Sequence, residues 1–483
     1  MDSGKPTSNG ENEQFLPPDH KAWYKKGYLI RLNLVAASLV LFSSSNGYDG
    51  SLMNGLQALD QWNAFMNYPT GAWLGWLNGI YWVGCFIGYP CGAFIGNRWG
   101  RKPAVYIGYA LLILSVALQT AAPNDIAFMM ARFFLGGASA FFGSTTPLLL
   151  NEIAYPTQRA TWNALFMSGW YVGGSVAGWV TFATRTYSSS WAWRLPSLLQ
   201  GLVPLIALPG FLLATESPRW LISVGRKEEA RAILAKYHAD GNLSSPLVTY
   251  EMIEITSAIE AEREAHSSSS YLEMIKTPGN RRRLFCSVTL GIFAQWSGNG
   301  VISYYLALIL DNIGVKSVKD QTVISACLQM WNLLFSVIAG FLVDRLGRRP
   351  LFMLSAAIMF LIIYLPSTPF LTAYPCEIWT FRLRSRGLTV TWLATILAIF
   401  FNTFVNPIAL GSIGWKYYFV FLAVLIVFAF TAYFFYPETK GYSLEQIAIV
   451  FDGDNAEVGD PSSMIAKSLA TEKDVESAHQ EEA

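Results

Sequence analysis

Apolar stretches of bilayer length follow one another along most of this 483-residue chain, and no other feature limits its fold so sharply. They lie near 30–50, 72–96, 104–122, 126–150, 163–183 and 194–214. After a polar interval they resume near 284–310, 321–343, 351–373, 388–410 and 415–436. A helix of about 20 apolar residues crosses the hydrocarbon, and there the backbone must satisfy its own hydrogen bonds. Charged residues make up 14% of the chain, where a soluble domain carries about 25%. The fold class is therefore an all-α polytopic membrane protein. A net charge of +1 offers no electrostatic footprint for nucleic acid.

Charge sorts the connections. Of 34 Lys and Arg, 28 fall in the N-terminus, the tail and alternate loops; Arg185, Arg194, Lys316, Lys319 and Lys416 fall on the other side, and Arg132 inside a span. The positive-inside rule then puts both termini, the basic turns and the central polar interval in the cytoplasm. The expected division is a cytoplasmic N-terminus (1–28), a first six-helix bundle (29–215), linker helices (216–283), a second bundle (284–440) and an acidic, Ser-rich tail (441–483). Amphipathic linker helices are expected at 226–236 and near 248–265. No cleavable signal is read before the first span. Cys85, Cys91, Cys286, Cys327 and Cys376 have no metal-ligand spacing and read as packed thiols.

Three signals recur in the same order, so the chain reads as two homologous halves. Asn97-Arg98-Trp-Gly-Arg101-Lys102-Pro103 returns as Asp344-Arg345-Leu-Gly-Arg348-Arg349-Pro350. Glu152 and Arg159 return as Glu377 and Arg384. Glu216-Ser-Pro-Arg219 returns as Glu438-Thr-Lys440. The halves differ in one interval. Arg98 to Glu152 is 54 residues and holds two spans, whereas Arg345 to Glu377 is only 32. Two full helices do not fit there. A single span would put Arg382, Arg384 and Arg386 outside. A short re-entrant pair turning at Pro366-Ser-Thr-Pro369, about two half-helices, keeps them inside.

These motifs, with Trp193-Arg194, Gln295-Trp-Ser-Gly298, Tyr304-Tyr305 and Pro437-Glu-Thr-Lys-Gly441, resemble the sugar porter family of the major facilitator superfamily from about 30 to 450. Gly47 to Gln57 and Tyr374-Pro-Cys-Glu-Ile-Trp379 are similar to its fungal lactose and cellodextrin permease branch. The resemblance implies a two-bundle fold of six and six helices, here short near 351–373. It further implies sugar bound between the bundles and no cofactor. The sequence departs from the family pattern at Asn97, where an acid is usual, and at Gly300, Met167 and Thr372.

Asp49 and Arg132 are ionisable groups in the outer half of the membrane, costly there unless paired. From the residues alone, a proton-loading pair and a water-facing Asp with a snorkelling Arg are equally open; the resemblance implies the pair. Gln295 and Asn299 share a helical face, with Tyr304 and Tyr305 further out. Amides donate and accept, and aromatic rings stack on sugar faces. Asn332 lies twelve residues before Asp344, a spacing the family uses for sugar contact. Asn402 and Trp392 approach from the penultimate span. Intramembrane amides also glue helices together, and that reading stays open for each. Arg98, Arg101, Glu152, Arg159, Glu216, Arg219, Asp344, Arg345, Arg348, Glu377, Arg384 and Glu438 lie at the cytoplasmic edge, where the resemblance implies latching ion pairs.

The expected function is proton-coupled import of a sugar, a disaccharide such as lactose or cellobiose. The expected form is a plasma-membrane monomer whose partners are sugar, protons and the bilayer. A membrane sugar sensor, a facilitative hexose transporter and a truncated product with little transport are the alternatives. No hydrolase, zinc-protease or nucleotide-binding motif points to an enzyme or a metal.

Overall fold

The computed structural model describes residues 23–268, 272–346, 378–379, 383–437 and 451. Among them every regular element is helical. The first half contains α1 (Gly27–Gln57), α2 (Gly71–Trp99), α3 (Arg101–Thr120), α4 (Asp125–Ile153), α5 (Arg159–Thr184) and α6 (Trp191–Leu213). Two polar helices follow, α7 (Lys227–His238) and α8 (Pro246–Ser268). The second half contains α9 (Pro278–Trp296), α10 (Asn299–Asn312), α11 (Val318–Leu346), α12 (Arg384–Ile413) and α13 (Tyr418–Phe435). By length and apolarity seven stretches among the described residues qualify as membrane spans, the last of them, Arg386–Phe435, holding both α12 and α13.

Local chemistry sets several helix starts. Asn124 accepts from the Ala127 N–H at the head of α4, and Thr277 accepts from the Asn280 N–H at the head of α9, with Pro278 in its first turn. Both are side-chain caps for N–H groups that a helix cannot satisfy itself. Small residues then set the packing. Gly84, Gly88, Gly92 and Gly96 recur every fourth residue on one face of α2, and α4 fills that face. A Cβ on Gly84 would lie 2.1 Å from the Phe133 carbonyl oxygen, and one on Gly88 2.7 Å from the Ala140 Cβ. Such stripes let helices pack closely where lipid offers no hydrophobic drive. Of the cysteines, Cys85 and Cys286 are buried as expected, but Cys91 and Cys327 are exposed, because each falls on an outward face of its helix.

The turn between α2 and α3 defines a basic face of the molecule. α11 runs antiparallel to α5, with Ser336 facing Ser168 at 3.1 Å and Ala326 facing Gly178. α12 runs antiparallel to α2, with Phe404 against Gly75 and Trp392 stacked on Tyr89. α11 therefore ends, and α12 begins, at the basic face, and Arg386 stands there. The expected half-helices in 351–373 lie outside the described residues, as do the N-terminal segment before Trp23 and the tail save Phe451.

Candidate functional site

The second part of α1, Ser44–Gln57, begins after a 3-10 turn at Leu41–Ser43 and is buried along almost its whole length. Asp49 sits in its middle. Arg132 Nη1 donates to Asp49 Oδ1 at 2.7 Å, and both side chains are only 2% exposed. The other two guanidinium nitrogens have partners too. Nε reaches the Leu77 carbonyl oxygen at 2.8 Å and Nη2 the Asn78 carbonyl oxygen at 3.4 Å, both on α2. The Tyr81 ring lies 5.7 Å from the guanidinium, and its hydroxyl donates to Asn46 Oδ1 at 2.5 Å. A charge this deep persists only when paired and hydrogen-bonded. The structure brings the two residues together and keeps both from solvent.

The span formed by α9 and α10 is broken. Gly298 has φ +95°, a left-handed conformation that suits glycine, and it separates Trp296 from Asn299. A second break lies at Tyr305, with φ −135° and ψ 25°. Gln295 is half-buried just before the first break, and its backbone carbonyl accepts from Asn402 Nδ2 at 2.8 Å. The Tyr305 hydroxyl donates to the Thr403 carbonyl oxygen at 2.6 Å. These Asn402 and Tyr305 donors therefore tie helix to helix. Tyr304 is buried against Gly50, one residue from Asp49, and meets Trp82 edge-on at 6.5 Å. Asn332 is buried on α11. Half-buried Trp392 stacks on Tyr89 with ring centroids 5.8 Å apart, a contact between the halves. The Asn299 backbone opens α10; its side chain lies outside the described atoms.

Towards the face opposite the basic turn α2 and α12 approach closely: a Cβ on Gly75 would lie 2.4 Å from the Phe404 carbonyl oxygen. Among the described residues this is one of the closest approaches between the halves.

At the basic face Arg101 and Glu152 form a two-pronged ion pair, at 3.1 and 3.2 Å. Arg101 also donates to Asn97 Oδ1 at 2.7 Å, so the amide keeps a contact there without a charge. Glu216 acts differently from the expected side-chain pair. Its carboxylate accepts from the backbone N–H groups of Arg101 (2.9 Å) and Lys102 (3.0 Å), capping α3. An acid is favoured at a helix N-terminus because free N–H groups and the helix dipole converge there. Arg98 is exposed, and Arg219 lies in a short helix, Pro218–Ser223. The side chains of Asp344, Arg345 and Arg384, and the whole of Arg348, Glu377 and Glu438, lie outside the described structure.

One cluster was not anticipated from sequence. Arg159 Nη2 donates to Glu251 Oε1 at 3.0 Å, and His238 Nδ1 lies 2.6 Å from Glu251 Oε2. His238 Nε2 faces the Ile153 carbonyl oxygen at 3.2 Å. α7 and α8 are thereby fastened to the ends of α4 and α5. Burial pushes the neighbouring Glu254 carboxyl above the usual carboxylate range; Arg159 opposes the shift and Glu251 adds to it. With only four His in the chain, one ending an amphipathic helix was the available signal.

A family model described as Sugar (and other) transporter matches residues 35–373 and 364–451. The MFS-type transporter oryC of Aspergillus oryzae is 28% identical over 415 residues, 77% of this chain and 76% of that protein. The sugar transporter STL1 of Saccharomyces cerevisiae is 27% identical over 480 residues, 89% of this chain and 82% of that one. The high-affinity glucose transporter of Kluyveromyces lactis is 24% identical over 455 residues, with 83% and 81% covered. Among solved structures, the inward-open xylose transporter XylE of E. coli superposes with a TM-score of 0.69 at 21% identity, covering 87% of this chain and 100% of that one. A bacterial homologue of the human lysosomal transporter Spinster superposes at 0.56 and 16% identity, with 83% and 97% covered.

Proposed function

Since the chain belongs to the sugar (and other) transporter family of the major facilitator superfamily, we propose that it imports a sugar together with protons by alternating access. The observation that carries the coupling is the ion pair of Asp49 and Arg132, buried inside the helices and shielded from both faces. A proton on Asp49 would cancel the charge that holds Arg132, and sugar binding would bias the halves between two states. Only a ligand that prefers one state shifts such an equilibrium. Relatives named as sugar and glucose transporters, and a fold neighbour titled a proton:xylose symporter, support the substrate class. On this reading Gln295, Asn299, Tyr304 and Asn332 contact sugar, with Trp392 near Tyr89 at its inner edge. Tyr305 and Asn402 hold the broken span in register. The Arg101–Glu152 pair, the Glu216 cap and the Arg159–Glu251 pair are one half of the inner latch.

The disaccharide and the lactose and cellodextrin permease branch belong to this proposal. So do cytoplasmic termini, a plasma-membrane location, a monomeric state and the division at 29–215, 216–283 and 284–440. The test is uptake of labelled lactose, cellobiose and glucose by cells expressing the chain, at acidic and neutral external pH. Faster uptake in acid, abolished by a protonophore, supports coupling; pH-independent equilibration of glucose alone points to facilitation instead.

A second reading concerns the chain as it stands. The interval from Arg345 to Glu377 is 32 residues where the first half has 54, and the family match divides where its segments overlap, at 364–373. Both observations support a transporter shortened in its second half, with reduced transport.

A further inference from the structure

An open groove lies at the basic face on the second half of the molecule. α9 runs parallel to α12, with Gly291 against Thr395 and Asn402 reaching the Gln295 carbonyl oxygen. α12 begins at the basic face, so α9 begins there too. α13 ends there, its Phe435 ring 5.2 Å from that of Phe285 and its Phe435 carbonyl oxygen 3.5 Å from Cys286 Sγ. Between these helix ends is a space of about 440 Å³ lined by Arg282, Phe285, Phe434 and Phe435. All four residues are exposed. Phe434 and Phe435 end a membrane span, and Arg282 stands one turn of α9 nearer the polar edge than Phe285. The charge around the groove has one sign. From Leu272 to Arg283 the chain carries Lys276, Arg281, Arg282 and Arg283 against a single acid, Glu273. Arg283 is buried, and it donates to the Ile378 carbonyl oxygen at 2.8 Å and to Asn280 Oδ1 at 3.0 Å. Lys276, Arg281 and Arg282 are exposed, and among the described residues no carboxylate is in ion-pair reach of them. The Phe451 ring lies 5.4 Å from the Arg282 guanidinium but does not line the groove.

We propose that this groove binds a phospholipid with an anionic headgroup from the leaflet at the basic face. Arg282, with Arg281 and Lys276, holds the headgroup, and an acyl chain lies on Phe285, Phe434 and Phe435. Guanidinium groups match phosphate in shape as well as charge. A free phosphate would leave the aromatic rings unused, and a zwitterionic headgroup would bring no net charge to three unpaired cations. Basic clusters at the cytoplasmic ends of spans draw anionic lipids, each cation contributing about fivefold in affinity. The bound lipid would clasp α9 to α13 on the basic side of the break at Gly298. The site rests on reading the basic face as cytoplasmic, and on neither the sugar nor proton coupling.

The test places the full 483-residue chain in phosphatidylcholine nanodiscs. A trace of phosphatidylserine, or of phosphatidylcholine, with a photoreactive acyl chain is added and irradiated, and labelled peptides are read by mass spectrometry. Phosphatidylserine should label the stretch holding Phe434 and Phe435 far more strongly than phosphatidylcholine does. Arg282→Gln should lower that labelling about fivefold, and Lys276→Gln, Arg281→Gln and Arg282→Gln together should bring it to the phosphatidylcholine level. Arg282→Lys, which keeps the charge, should retain most of it, and Lys227→Gln, exposed on α7, all of it. Equal labelling by the two lipids overturns the proposal, since it marks ordinary boundary lipid. So does full labelling of the triple variant. Loss of labelling to inorganic phosphate at constant ionic strength would make this a free-anion site instead. Labelling that appears only in Phe451→Ser would make the tail the occupant. Should the triple variant fail to fold, Arg282→Gln against Arg282→Lys carries the same comparison. Labelling needs no sugar. Selective labelling of a chain that moves no sugar keeps the lipid site and removes the transport reading; uptake with unselective labelling does the reverse.

Discussion

Asp49→Asn and Arg132→Ala remove opposite members of one buried pair and should not behave alike. The Asn side chain still offers an oxygen to Arg132, so the protein should reach the membrane, exchange sugar and lose accumulation against a gradient. Uphill accumulation by Asp49→Asn equal to the parent's would refute the coupling role. Arg132→Ala strands a carboxylate beneath α2 and should cost about 3–5 kcal/mol of stability, seen as a lower melting temperature and low abundance. Gln295→Ala should weaken sugar binding several-fold, the effect of about 0.5–1.5 kcal/mol for one uncharged hydrogen bond, at unchanged abundance. A competition assay with unaltered affinity for every sugar tested would remove Gln295 from the site. Asp49 and Arg132 were each legible as ionisable groups in apolar sequence, yet 83 residues separate them and only the packing of α1, α2 and α4 makes them meet. The contacts of Asn54 and Gln57 with α10 were not legible. Their partners are backbone groups on either side of Tyr305, and no side-chain pattern announces that.

Helices and their ends show a similar split between what the sequence announces and what packing decides. Among the described residues the spans, the break near Gly298 and the two linker helices follow from apolar length, glycine and charge periodicity. The role of Glu216 does not. A Glu beside a basic turn reads as a salt bridge, but the N–H groups at the head of α3 point at it first. Glu216→Ala should therefore cost about 1 kcal/mol, as loss of a helix cap does, and Glu216→Gln less. The linker carries a pH dependence whose sign is fixed by Glu254. Burial raises its carboxyl above the ordinary range in the folded protein. Its contribution is thus fully present below the unfolded value and is lost as pH rises through the folded one. Docking of α8 should weaken as pH rises out of the carboxylate range. Melting temperatures measured from about pH 4 to pH 8 should fall less steeply in Glu254→Gln, which is neutral throughout. An identical slope would show that Glu254 is not the group responsible.

For the whole molecule, three repeated motifs point to two homologous halves, and counting between two of them points to a shortfall that lies outside the described residues. How the halves meet was not legible, because glycine approaches such as Gly75 against Phe404 depend on the tilt of α2 and α12. The interval between Arg345 and Glu377 is 22 residues shorter than its counterpart from Arg98 to Glu152. Lengthening the chain by that amount between 355 and 370 should raise both surface abundance and uptake; equal values for the two lengths would mean that the short interval suffices. The most direct test of proton-coupled import is internal acidification on adding cellobiose or lactose to liposomes that hold a pH-sensitive dye and the purified protein. Coupled import predicts that sugar acidifies liposomes carrying the lengthened chain, acidifies those carrying the 483-residue chain only weakly, and leaves those carrying the lengthened Asp49→Asn variant unchanged. Entry of labelled sugar without acidification, at the same rate with Asp49 and with Asn in its place, would contradict it.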